Sequence, residues 1–122
     1  MPNTDCILVV EDNRDAQAGL YELLQDQYSV RTADDGQQAL DLLERGFQPR
    51  LLILDLSMPK VSGWDLLKYM QSDPALRLTR IIVVTAMNPE EVHVVADVVL
   101  YKPIDVPLLL STVAGLMHPA AT

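Results

Sequence analysis

Three observations predict a doubly wound α/β fold, with a five-stranded parallel sheet and helices on both of its faces. Strand-like apolar runs alternate with helical patterns along the chain, in five strand–helix units. The run Leu51-Leu52-Ile53-Leu54 is apolar without alternation, as a strand covered on both faces must be. Polar residues then close four of the five strands, at the ends where open α/β sheets bind ligands.

Cys6 to Val10 reads as the first strand, β-branched and apolar. Asn13 can cap the helix that follows, in which Ala16, Leu20, Leu23 and Leu24 recur at helical spacing. Tyr28 to Ala33 is a more polar strand and belongs toward an edge. Asp34-Asp35-Gly36 turns the chain into a second helix on Ala39, Leu40, Leu42 and Leu43, which Gly46 stops. After the central strand, Leu51 to Asp55, the stretch Ser57 to Gly63 is a loop. A third helix from about Trp64 to Gln71 then packs Leu66, Leu67 and Met70 until Pro74 breaks it.

Ile81 to Thr85 is the fourth strand. Asn88-Pro89-Glu90-Glu91 has the cap, proline and acids of a helix entry. That fourth helix is nonetheless predicted to be short or irregular. It has room only for Pro89 to Ala96, and Val92, Val94 and Val95 are β-branched, poor helix formers. Val98 to Tyr101 is the fifth strand, and Asp105-Val106-Pro107 opens a last helix through Leu108, Leu109, Val113 and Leu116.

At 122 residues the chain is the size of one domain, with its core expected over about 5–117. A formal net charge of −8 argues against direct binding to nucleic acid or an anionic membrane, whose phosphates it would repel. The lone Cys6 allows no intrachain disulfide and reads as a small buried apolar residue. Met1 to Asp5 lacks the basic and apolar regions of a signal peptide, and no apolar run approaches a membrane span. A cytoplasmic location is the expectation.

The chemistry is expected at the strand ends. Glu11-Asp12 follow the first strand, Asp55 ends the third, Thr85 the fourth, and Lys102 follows the fifth. In a parallel sheet these ends open on one edge, so distant residues converge. Three carboxylates at one spot repel one another unless cations hold them. Lys102 supplies one positive charge, and an oxygen-rich set without His or Cys suits Mg²⁺ rather than zinc. A carboxylate can attack phosphorus to give an acyl phosphate, which makes Asp55 the candidate reacting group. Lys102 and the Thr85 hydroxyl would then face phosphoryl oxygens.

Those residues bring the chain to a known family. Over nearly its whole length it resembles the response-regulator receiver domain of bacterial two-component signalling. The matching motifs are Ile7-Leu8-Val9-Val10-Glu11-Asp12-Asn13, Leu54-Asp55-Leu56-Ser57-Met58-Pro59 with Gly63 four residues on, Val83-Val84-Thr85-Ala86, and Lys102-Pro103. The resemblance implies a flavodoxin-like strand order 2-1-3-4-5. It implies that Asp55 accepts a phosphoryl group from the phosphohistidine of a sensor histidine kinase or histidine phosphotransfer protein. Asp12, Asp55 and the main-chain carbonyl of Ser57 would ligate Mg²⁺, with Mn²⁺ as an alternative, and Glu11 would reach the metal through water. Lys102, Thr85 and the Ala86 N–H would bind the phosphoryl group. Phosphorylation would switch contacts with an output protein or domain, in a monomer or weak homodimer.

Two departures from that family bear on switching. Relatives usually carry Tyr or Phe three residues before the lysine, where this chain has Val99. Tyr101 lies on the same strand face as Val99 and is the candidate substitute ring. The segment from Thr85 to Lys102 is also short, by roughly a turn and a half of helix. Ser57 and Met87 flank the expected route of attacking water and are expected to tune the acyl-phosphate lifetime. Trp64 opens the third helix near the acidic loop, a candidate fluorescent reporter of metal. His93 and His118 are too far apart to suggest a metal site or a phosphohistidine.

Three other readings are weaker. A pseudo-receiver would keep the fold without relying on phosphate, but the set Glu11, Asp12, Asp55, Thr85 and Lys102 is intact. An aspartyl phosphatase usually carries a second acid two residues after the nucleophile, where this chain has Ser57. A flavin-binding domain needs a phosphate-cradling loop after the first strand, and Glu11-Asp12 has the wrong charge for one.

Overall fold

The computed structural model describes residues 6–56, 63–92 and 96–118. Five parallel strands form one sheet in the order β2-β1-β3-β4-β5. They are β1 (Cys6–Val10), β2 (Ser29–Ala33), β3 (Leu51–Asp55), β4 (Arg80–Thr85) and β5 (Val98–Tyr101). Among the described residues four α-helices cover it: α1 (Arg14–Leu24), α2 (Gly36–Glu44), α3 (Gly63–Ser72) and α4 (Val106–Met117).

The unbroken hydrophobicity of β3 divides between two cores. Leu52 and Leu54 join Leu8, Val10 and Val83 beneath α2 and α3, packed on Ala39, Leu43, Leu66, Leu67 and Met70. Leu51 and Ile53 join Ile7, Val9, Ile82 and Val84 on the opposite face, under Leu20 and Leu24 of α1 and Leu109, Val113 and Met117 of α4. Burying one aliphatic side chain is worth about 1.5–3 kcal/mol, so these two layers fix both the strand order and the register.

Local signals set the helix ends. Asn13, Asp35 and Asp105 cap α1, α2 and α4, each accepting from the backbone N–H three residues on. Gly46 lies at φ 99°, and the Gly46 N–H and Phe47 N–H donate to the carbonyls of Leu43 and Leu42, closing α2 as its sequence predicts. At Gly63 an added Cβ would lie 2.9 Å from Leu56 Cδ2, so α3 can start this close to β3 only without a side chain.

Some outward positions differ from the predicted stripes. Leu23 (40% exposed) and Leu108 (50% exposed) face away from the core, as does Ala16, because Leu20, Leu24, Leu109 and Val113 already fill the inward faces. Beyond α3, Pro74–Leu76 forms a short 3₁₀ turn capped by Asp73. The fourth helix is irregular as expected: Pro89–Glu91 makes one 3₁₀ turn, and Val92 is already extended at φ −97°, ψ 111°. His93, Val94 and Val95 lie outside the described residues.

Candidate functional site

The carboxyl ends of β1, β3, β4 and β5 bring together residues drawn from 11 to 102. Asp55, the last residue of β3, is 4% exposed, and Glu11, just past β1, is 3% exposed. One oxygen from each of Glu11, Asp12 and Asp55 lies within 4.8 Å of the others, with Asp12 on the exposed side. Lys102 Nζ donates to Asp55 Oδ2 at 3.2 Å and stands 3.6 Å from Glu11 Oε1. Its backbone N–H donates to the Thr85 carbonyl at 2.8 Å, tying β5 to β4 where the peptide bond Lys102–Pro103 is cis.

The electrostatics are those of crowded acids. Burial, together with a hydrogen bond shared with Asp55, pushes the Glu11 carboxyl up to about 7, although the Asn13 N–H and Lys102 pull the other way. Lys102 is held above its ordinary range. Burial would lower it, but its hydrogen bond to Asp55 and the charges of Asp55 and Glu11 outweigh that. A site that raises one acid toward neutrality and strengthens its ammonium is short of positive charge. Three converging carboxylates without His or Cys fit a hard divalent cation such as Mg²⁺.

Thr85 is fully buried, and its Oγ1 accepts from the Met87 N–H at 3.0 Å. Ala86 follows it at an exposed position. Val99 packs at the margin of the α2–α3 core, while Tyr101, paired in register with Thr85, is 39% exposed. Trp64 is 37% exposed on the first turn of α3. Ser57 lies outside the described residues.

One residue of the rim has no signature in the sequence. Gln17, on α1, donates from Nε2 to the carbonyls of Glu11 (3.1 Å) and Ala33 (3.1 Å) and to Asp34 Oδ1 (2.9 Å). A lone glutamine on an amphipathic helix looks like a solvated residue until the strand ends are placed beside it.

The model of the response regulator receiver domain matches residues 7–114, and the chain belongs to that family. It is 30% identical over 123 residues to the polar-differentiation response regulator DivK of Brucella ovis, covering 96% of this chain and 99% of DivK. It is 41% identical over 85 residues to the transcriptional regulatory protein CpxR of Escherichia coli, covering 69% of this chain but only 34% of CpxR. Among solved structures, the signal receiver domain of a signal transduction histidine kinase from Syntrophus aciditrophicus superposes with a TM-score of 0.85. That match has 27% identity and covers 97% of this chain and 96% of the other.

Proposed function

We propose that the chain is the phosphoacceptor module of a two-component phosphorelay. The observation that carries this reading is the placement of Asp55, nearly buried and bonded to Lys102, beside Glu11 and Asp12. An Asp55 oxygen attacks the phosphorus of a phosphohistidine. The P–N bond breaks and its electron pair stays on that imidazole nitrogen of the kinase or phosphotransfer protein, whose ring leaves neutral because its other nitrogen carries a proton. The product is an acyl phosphate on this chain.

Lys102 Nζ, already 3.2 Å from Asp55 Oδ2, faces the negative charge gathering on the phosphoryl oxygens. The Thr85 hydroxyl and Ala86 N–H would supply neutral donors to the phosphoryl oxygens. Asp12 and Asp55, with the Ser57 carbonyl, would hold Mg²⁺ or Mn²⁺, Glu11 reaching it through water, and the ion would supply charge neutralisation when bound. The chain thus catalyses only its own modification and turns over no outside substrate. Its output is a changed contact with a protein partner, and because Pro89–Glu91 makes only one 3₁₀ turn between β4 and β5, that contact uses a face other than the turn and β5.

Intact mass after incubation with Mg²⁺ and acetyl phosphate tests this directly. A single base-labile phosphate adduct is expected, absent in Asp55→Ala and lost when Mg²⁺ is chelated. No adduct on the wild-type chain would overturn it in favour of an interaction module that works without phosphate.

A further inference from the structure

The acidic rim needs Asp12 held out from the end of β1, and the structure shows what holds it. Asp12 is exposed and has no hydrogen bond of its own among the described residues, so its direction is set by the peptide units on either side. After it, the Asn13 N–H donates to Glu11 Oε2, Asn13 Oδ1 accepts from the Ala16 N–H, and the Asn13 carbonyl accepts from the Gln17 N–H at 2.9 Å. Before it, the Glu11 N–H donates to the Ala33 carbonyl at 3.1 Å. The remaining group is the Glu11 carbonyl, one half of the peptide that leads into Asp12, and it accepts from Gln17 Nε2 at 3.1 Å.

We propose that Gln17 is a positioning residue for the metal-binding rim, its carboxamide clamping the Glu11–Asp12 peptide so that Asp12 stays aimed at the site of the cation. The chemistry of the group suits this. A carboxamide NH₂ has two protons, and here three oxygens surround it: the carbonyls that end β1 and β2, and Asp34 Oδ1. A hydroxyl or a shorter amide from the same helix position could not span both strand ends. Asp34, with its oxygens engaged by Gln17, Gln38 and Arg14, anchors the far side of the clamp and stays outside the acid trio. Groups that orient metal ligands from behind typically contribute about 10–100-fold to metal affinity when removed.

The inference rests on the reading of the rim as a divalent-cation site, and the experiment separates the two. Isothermal titration of the full chain with Mg²⁺ is compared for wild type, Gln17→Met, Gln17→Ala and Gln38→Ala. Gln38 bonds the same Asp34 turn on both its N–H and its carboxylate but does not touch Glu11. Both Gln17 variants are expected to bind Mg²⁺ about tenfold more weakly, with Gln38→Ala like wild type. In the acetyl-phosphate assay the half-saturating Mg²⁺ concentration should rise by the same factor, and the rate at saturating Mg²⁺ should fall by less.

Gln17 variants that bind Mg²⁺ as wild type does, or a Gln38→Ala variant equally weakened, would overturn the clamp and leave the cation site standing. A wild-type chain that binds no Mg²⁺ would overturn both. Should the Gln17 variants fail to fold, the Gln17 side-chain amide of the ¹⁵N-labelled wild type decides. Its resonances are expected to shift on saturation with Mg²⁺, and unmoved resonances would overturn the proposal.

Discussion

The two halves of the sheet's carboxyl edge are built differently. Around β1 and β3, nearly every polar group of the rim is fixed: Asn13 caps α1, Gln17 joins two strand ends, and Lys102 reaches Asp55 and Glu11. Beside β5, Pro89–Glu91 makes one 3₁₀ turn, Val92 itself is extended, and the Val92 N–H reaches the Pro89 carbonyl only at 3.4 Å. The apolar cover there comes from Val92, Ala96 and Val99, each only partly buried. Phosphoryl chemistry needs groups that do not reorganise. On the phosphoacceptor reading, the fixed half is the one that would hold the phosphoryl group, and the half beside β5 is not the face that meets a partner.

The largest test of that contrast is Lys102→Ala. It removes the ammonium that reaches Asp55 and Glu11, and phosphorylation by acetyl phosphate at saturating Mg²⁺ should slow by about 10²-fold, as loss of a preorganised charge-stabilising donor does. A loss under threefold would mean that the carboxylates, not Lys102, organise the rim.

A smaller effect is expected from pH. The folded carboxyl of Glu11 stands near 7 against an ordinary 4.5, so folding favours its protonated form. Its contribution to stability is full below pH 4.5 and is lost as pH rises through about 7. Thermal melts in chelator should therefore fall between pH 5 and pH 8. Glu11→Gln should flatten that dependence, and Mg²⁺ should restore the wild-type melting point at the upper end. Melts of the Glu11→Gln variant with the full pH slope would place the strain elsewhere.

The least effect should come from the loose half. Val92→Ala should cost under about 1 kcal/mol in urea unfolding, against about 2–5 kcal/mol for Ile53→Ala in the packed centre. Comparable losses at the two positions would erase the distinction.

The fold was legible wherever an apolar run met a polar terminus. Leu51 to Asp55 announced a doubly covered strand with a carboxylate at its end, and Glu11, Asp12, Thr85 and Lys102 each interrupted or followed such a run. Gly46 and the capping acids marked the helix ends for equally local reasons. The weakness of the fourth helix was written in its β-branched valines. What the sequence hid depends on partners distant along the chain. Gln17 acquires its role only when β1 and β2 lie side by side. Arg80 extends β4 by one residue because it pairs with Leu51, its N–H donating to the Arg50 carbonyl at 2.9 Å. Leu23 and Leu108 obey helical spacing, yet the inward faces were already full.

Thr85 Oγ1 accepts from the Met87 N–H, and on the phosphoacceptor reading this threonine would be a latch with two seats. In the seat seen here its oxygen is held by the chain two residues on; a turn toward a newly arrived phosphate would vacate that seat and set the Met87 amide loose. The ¹⁵N–¹H resonance of Met87 should thus move on phosphorylation, and in Thr85→Val it should hold one position in both states. Arrival of the phosphate would in this way be felt first along 86–88, just ahead of the 3₁₀ turn at Pro89–Glu91.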